Sequence, residues 1–512
     1  MTTTLPARPT LPLADFDRRP APGEPGAPPA KPVRTVKQRR RRRRLLDRLG
    51  WYELAEDPIL TSTRQAECLN PALVSTHPTL AGPLLGVDVE TGQPHTTDPH
   101  ELYALRAIQS PNVAVIGGVG LGKSSLLKNQ YVLRALALGR QVAVFDRKNQ
   151  EGRGEYGRPA QIAGGTIIRF RRQGGCVVNI LDPQISVTSE GGDQGRVGQD
   201  RLLMMVAEFA HGPLNSYERH ALRAAHRSAL ARASAERRVA TLPDVVTALF
   251  FPDESALPRP GLAEANRVDL ERIYEWGEGL ALDLERFVTG DLSGLIDGET
   301  RDEHGGPLDL SAQLLIFDTS ALDGDSPELS LVMATMATYL SAVWSAKRAR
   351  RLLIIEEGYH AADLPTVGTI FRDLAKRGRG IGLSVVTAVH HISDIDPTSP
   401  AISLIREAGI VHIFGQDKAD DAAAAIELFG LPTWLHEEIT GLPQGTHILK
   451  VGTRQPPRMI SHVRTALEAW ANDTDAAMLD RDDEPAPFAE LANEIADDGA
   501  MVAVEGGYAD AS

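Results

Sequence analysis

Two cysteines, Cys68 and Cys176, are all that 512 residues contain, so no disulfide framework is available and a reducing cytoplasm is the compartment the chain suits. Long apolar runs are missing as well. Nothing approaches the roughly 18 apolar residues of a membrane-spanning helix, and the N-terminus lacks the apolar centre of a secretory signal. Any membrane contact is therefore expected to be peripheral, at the inner face of the cell membrane. Net positive charge is also missing, with a formal balance of -14, but the charge is unevenly placed. Residues 1–50 carry 13 Lys/Arg against 4 Asp/Glu, whereas residues 471–512 carry 1 against 12. Large apolar residues are scarce up to about Val36, where Pro, Ala and Thr dominate. Such a segment cannot bury enough surface to offset its ordering entropy, so 1–50 is expected to be a disordered basic tail and 471–512 a disordered acidic one.

What is present centres on NVAVIGGVGLGKSSLLK, Asn112 to Lys128. Val113 to Ile116 read as a buried strand, and Gly117 to Ser124 then fit G-x-x-x-x-G-K-[ST]. Gly117, Gly118, Gly120 and Gly122 are expected at positive φ, letting backbone N–H groups curl around a β-phosphate. Val119 and Leu121 fill the loop between them. Lys123 can reach the β- and γ-phosphates, Ser124 can ligate Mg²⁺, and a helix opening at Ser125 points its positive end at the same charge. The implied ligands are ATP and Mg²⁺.

Upstream, the run Arg39, Arg40, Arg41, Arg42, Arg43, Arg44 adjoins LLDRLGWYEL, with Leu45, Leu46, Leu49, Trp51 and Tyr52. A basic stretch beside an apolar one can hold anionic lipid, DNA phosphates or an acidic partner, or it can be a solvated tail or a clamp on the acidic terminus. Residues 51–110 read as a small β-rich lead-in. Strand-like runs alternate with helical spacing over 111–190 and 306–460, including QVAVFD, GGTIIRF, CVVNILDP, AQLLIFD, RLLIIEE, GLSVVTAV, IVHIFG and GTHILKVG. Residues 191–305 keep helical spacing throughout and read as an all-helical insert. The expected fold is α/β, a P-loop NTPase (RecA-like) with a mostly parallel sheet, that insert and disordered termini.

RLLIIEE ends an apolar strand in two acids, as a Walker B motif requires. Glu356 is assigned to Mg²⁺ and Glu357 to polarising the attacking water, with Asp146 and Asp318 as alternative Mg²⁺ partners. His390 and His391 have no Cys or further His at ligand spacing, which argues against a transition-metal site there.

The order of these motifs resembles the conjugative type IV secretion ATPases, VirB-type transfer motors of the FtsK/HerA-like superfamily, over roughly Gly86 to Gly452. The resemblance is carried by GGVGLGKSSLLK, by VFDRKNQEGRGEY with Asp146, Glu155 and Tyr156, and by VNILDP with Asn179, Asp182 and Pro183. RLLIIEE and RDLAKRGRGIGLSVVTAVHHISDI follow in the same order. It implies an ATP-hydrolysing ring, a homo-hexamer, that energises transfer of DNA or protein and partners membrane channel subunits. It also implies that His390 stands where the family senses the γ-phosphate with Gln, and that Arg379, or else Arg377, is the finger reaching a neighbouring subunit's nucleotide. Glu356 replaces the family's usual Asp. The family's large N-terminal docking domain is expected to be missing or supplied by a separate chain. Two other readings stand beside this one: a DNA translocase or helicase of the same superfamily, and a nucleotide-binding scaffold without turnover.

Overall fold

The computed structural model describes residues 81–148, 154–172, 174–186, 197–257, 269–323, 326–345, 347–356, 365–392 and 400–472. The two tails expected to be disordered, the run Arg39 to Arg44 and Glu357 lie outside them, apart from Ala471 and Asn472.

Val113–Ile116 (β3) is apolar without interruption because both its faces are covered, as in a parallel sheet. Val113 and Val115 join Leu127 and Tyr131 in one core, while Ala114 and Ile116 join Phe429 and Ile439 in another. Six more strands run parallel to it: Gln141–Asp146 (β4), Thr166–Arg169 (β5), Leu314–Asp318 (β6), Arg351–Glu356 (β7), Leu383–Val389 (β8) and Ile410–Phe414 (β9). Beyond β9 the direction reverses, with Thr446–Val451 (β10), Arg458–His462 (β11), Leu84–Asp88 (β1) and Pro94–Thr96 (β2) added antiparallel. The eleven strands lie in the order β2-β1-β11-β10-β9-β3-β8-β7-β4-β6-β5, so the lead-in strands belong to the main sheet.

Helix α1 (Pro99–Ala104) follows β2, and α2 follows the glycine loop. α2 is α-helical over Lys123–Leu126, π-helical over Leu127–Leu133 and α-helical again over Arg134–Ala137. α3 (Gly157–Ala163) precedes β5, and four helices follow it: α4 (Val197–His211), α5 (Ser216–Glu236), α6 (Leu242–Phe250) and α7 (Leu270–Thr289). α5 starts where Asn215 and Glu218 close a reciprocal capping box. Gly277 lets α7 approach closely, since a Cβ there would lie 3.0 Å from Leu249 Cδ2. Leu222, Leu249 and Leu280 of these helices share one continuous core with Phe145, Phe317 and Leu353 of the sheet, through α8 (Pro327–Ser345). The remaining helices are α9 (Pro365–Ile381), α10 (Pro400–Arg406), α11 (Ala419–Phe429), α12 (Leu435–Thr440) and α13 (Ala466–Ala471). Among the described residues no helix is long and apolar enough to cross a membrane.

One expected strand is absent. Cys176 to Pro183 forms a single bridge, Val177 to Arg301, and then turns. Asn179 Oδ1 accepts the Leu181 N–H at 2.9 Å and Asp182 Oδ1 accepts the Gln184 N–H at 2.9 Å, which bends the chain into a 3₁₀ turn at Pro183–Ser186. Cys176, Val178, Ile180 and Leu181 are buried in the core shared with the helices, so the pattern of this run records burial without a ladder.

Where the sheet turns antiparallel, His95, His412, His447 and His462 are neighbours beneath α2. His412 Nε2 lies 2.6 Å from the Tyr131 hydroxyl, and the His412 and His447 rings are 4.8 Å apart. Burial, reinforced by the other imidazoles, drives the pKa of His412 down to about 3. Burial also takes His462 to about 4 and His447 well below its ordinary value.

Candidate active site

At Gly117 the φ of 152° and a would-be Cβ 2.5 Å from Phe414 Cβ leave room for glycine alone. Gly120 and Gly122 are also left-handed, at 76° and 107°. Gly118 is not, contrary to expectation. Its small size serves a close approach instead, with Asp417 Oδ2 3.0 Å from where a Cβ would stand and its own N–H donating to Gly415 O at 2.8 Å. The loop is clamped from β10's side, where Gly445 N–H donates to Leu121 O at 3.0 Å and Gln444 Nε2 to Gly120 O at 2.9 Å. Val119 stands exposed at the tip.

The helix opens at Lys123, two residues before Ser125. Lys123 Nζ donates to Gly117 O and Gly118 O, at 2.6 Å each, and lies 2.9 Å from His390 Nδ1. His390 follows the last residue of β8, and β8 is β3's parallel neighbour. That pairing brings His390 onto the loop's lysine. Ser125 Oγ accepts from Arg464 Nη1 at 3.3 Å and from Asn129 Nδ2 at 3.4 Å.

Ser124 Oγ donates to Glu356 Oε1 at 2.5 Å, and the Tyr156 hydroxyl donates to Glu356 Oε2 at 2.9 Å. Burial alone would raise the Glu356 pKa. The Lys148 and Lys128 ammoniums and those two hydrogen bonds outweigh it, and the carboxylate is held below its usual range. Asp146, one alternative metal partner, shows the opposite balance. Burial first, and the charge of Glu356, push it up to about 7, although it accepts the Tyr156 N–H at 2.9 Å. Asp318, the other, sits on β6, four places from β3 in the sheet, about 19 Å at ordinary strand spacing, and its Oδ1 is taken by Ser320. The geometry therefore brings Lys123, Ser124, Glu356 and His390 together and leaves Asp318 out. Glu357 lies outside the described residues. Among those described, no group of three His, Cys, Asp or Glu is placed to hold a metal.

Lys148 was not singled out by the sequence. Its Nζ lies 3.0 Å from Ser124 Oγ, 3.3 Å from Glu356 Oε1 and 3.8 Å from Glu155 Oε1. The available signal was position, two residues past the carboxyl end of β4, where open parallel sheets build their sites.

Arg379 is not in this site. It ends α9 just before β8 begins, so the length of β8, roughly 20 Å, separates it from its own phosphate loop. There it lines a cavity of about 1170 Å³ together with Arg106, Lys376, Arg406, Lys450 and Arg454. Glu407 is the carboxylate of that wall, and it pairs with Lys376 at 3.2 Å. Arg106, Arg406 and Arg454 have no ion-pair partner among the described residues, and Arg379 Nη1 reaches only Gln109 O, at 3.4 Å. The side chain of Arg377 is outside the described set.

No family model matches the sequence, and neither does any curated protein. Among solved structures, VirB4 of Thermoanaerobacter pseudethanolicus is similar at 20% identity with a TM-score of 0.60, over 76% of this chain and 98% of that one. The plasmid coupling protein TrwB, solved with the ATP analogue ADPNP, aligns at 14% identity and a TM-score of 0.47, over 81% and 96%. The chain thus shares the fold of VirB4, an α/β fold built on a mostly parallel sheet.

Proposed function

We propose that the chain is an ATP-hydrolysing motor, active as a ring of copies of itself, that energises conjugative, type IV secretion-like transfer of DNA or protein through a membrane channel. The observation that carries the reading is the meeting of Ser124 and Glu356 beside Lys123 at the mouth of a glycine loop. A hydroxyl and an ionised carboxylate are hard oxygen donors and fit Mg²⁺, which is commonly held by one or two protein groups plus the substrate's phosphates. Ser124 and Glu356 would hold it, and when bound it neutralises charge on the transferring phosphoryl group. Lys123 would exchange the loop carbonyls for the β- and γ-phosphates. His390, on the same ammonium, would report whether a γ-phosphate has arrived, and Glu357, next along the chain from Glu356, would polarise the water.

Arg379 supports the ring. Too far from its own loop to act there, it can neutralise transition-state charge only on a nucleotide held by another molecule, and five further cations share its cavity. The channel and any separate docking-domain chain are the further partners of this reading, with Arg39 to Arg44 as the point of attachment.

Steady-state hydrolysis by the full chain tests the proposal, with Glu357→Gln expected to bind ATP and Mg²⁺ yet turn it over very slowly. Binding without turnover under every assembly condition would assign a scaffold. Turnover that requires naked DNA, with movement along it, would assign a translocase.

A further inference from the structure

Lys148 has no part in the mechanism above, yet it occupies the centre of the site. Its ammonium donates to the same two oxygens, Ser124 Oγ and Glu356 Oε1, that the donor set assigns to the metal. Glu155 borders this arrangement. It is held from behind by Lys128, fully buried in the π-helical turn of α2, with Nζ 3.1 Å from Glu155 Oε2. Two lysines thus share two carboxylates. Lys128 is fixed by its burial, whereas the Lys148 side chain keeps 27% of its surface exposed, on the chain just past β4.

A dication seated on Ser124 and Glu356 would lie next to this ammonium, a strongly repulsive arrangement in a partly buried site. The two cannot share the pair. The Lys148 side chain has somewhere to go, because Glu155 Oε1 is already only 3.8 Å away and carries charge of the right sign. A flexible four-carbon stem with a compact charge suits such an exchange.

We propose that Lys148 is an internal cation that competes with Mg²⁺: it neutralises Ser124–Glu356 before the metal arrives and is displaced onto Glu155 when it does, so that metal affinity is set by this competition. The inference rests on the nucleotide-site reading, and it assigns Lys148 a positioning role without contact to the phosphates. The competition neutralises Glu356 while the metal is absent and discourages metal from settling there ahead of nucleotide.

The test is titration of the full-length protein with Mn²⁺ alone, followed by electron paramagnetic resonance, and titration of labelled ATP and ADP at a series of Mg²⁺ concentrations. Lys148→Ala and Lys148→Met should bind Mn²⁺ roughly tenfold more tightly than the parent, and Lys148→Arg, which keeps the charge, should stay near it. Glu155→Gln, which removes the second seat, should weaken Mn²⁺. In Lys148→Ala/Glu356→Gln the gain should vanish. Thermal melts of each variant separate misfolding from these effects, and Lys148→Met keeps the apolar stem should the alanine variant fail to fold. Unchanged or weaker Mn²⁺ binding in folded Lys148→Ala and Lys148→Met overturns the proposal. So does a loss of ATP affinity without loss of ADP affinity at saturating Mg²⁺, since that would make Lys148 a γ-phosphate ligand. A parent protein that binds Mn²⁺ with this lysine dependence but no nucleotide would sink the ATPase reading and leave the competition standing.

Discussion

The two ends of the parallel strands are charged in different ways. Where β3, β7 and β8 finish, the lysines are engaged: Lys123 with loop carbonyls beside His390, Lys128 with Glu155, Lys148 with Glu356. Where the same strands begin, the cations outnumber their partners. Arg379 and Arg406 stand in the last turns of α9 and α10, where the negative ends of those helices favour them, but neither forms an ion pair among the described residues, Glu407 of the same wall being paired with Lys376. The difference separates two kinds of site. In one the lysines, hydroxyl and carboxylates pair with one another within the chain, and the other carries more positive charge than its described carboxylate, Glu407, can balance.

The largest expected effect lies at the finished end. Lys123→Ala should lose nucleotide affinity by roughly two orders of magnitude, the worth of two charge-assisted hydrogen bonds, together with all measurable hydrolysis. Undiminished turnover would break the assignment of that end. At the other end, Arg379→Ala should bind ATP normally and hydrolyse it roughly 10³-fold more slowly. Mixed with inactive Glu357→Gln, it should recover activity at interfaces that pair an intact arginine with an intact acid. If verified mixed rings stay dead, the cavity does not act across copies. Arg406→Ala should do less, weakening self-association several-fold with a reduced dependence on salt, as sedimentation in rising salt would show. An unaltered salt profile would make Arg406 only a helix-end charge.

A region belonging to neither end sharpens the comparison. His412, His447 and His462 have pKa values depressed by burial, so the unfolded chain, with histidines near 6.5, takes up protons that the native state refuses. The stability present above about pH 6.5 should therefore be lost as pH falls toward 4 for His462 and 3 for His412, on the order of 3 kcal/mol for His462 alone by pH 4. Denaturant midpoints at pH 7 and 5 measure it. In His447→Leu the drop should shrink, because neither ring nitrogen of His447 has a hydrogen-bond partner. An equal drop in parent and variant would place the acid sensitivity elsewhere.

Much of the finished end was readable in the sequence because the chemistry is local. The spacing from Gly117 to Ser124 fixes loop, lysine and hydroxyl within eight residues, and the apolar run before Glu356 places the acid at a strand end. Strand order brings them together, and only the pairing of β3 with β8 and β8 with β7 shows that Glu356 is near and Asp318 far. Lys148 escaped notice because a lysine in a charged loop looks like any solvated one until Glu155 and Glu356 are seen beside it. The cavity is assembled from α1, α9, α10 and the end of β10, segments spread between Tyr103 and Arg454, so no window of sequence contains it. Cys176 to Leu181 misled for a related reason: burial against helices and burial in a sheet leave the same apolar run.

The hairpin-like pair β9 and β10 joins the two ends. Gly415, just past β9, accepts the Gly118 N–H of the phosphate loop, and Gly445, just before β10, donates to Leu121 of the same loop. At the opposite extremity Gly452 donates to Gly409, and both line the cavity. Five registered pairs between the strands, from His447–Phe414 to Val451–Ile410, leave little freedom to stretch. In mechanical terms the pair is a short beam, clamped to the loop at one tip and forming part of the wall of the basic cavity at the other. A push along its axis when the loop closes on phosphate would arrive at Gly452, seven residues and about 23 Å from Gly445. Amide exchange at Gly452 and Thr453 should slow when nucleotide binds, and indifference there would show that the beam carries no stroke.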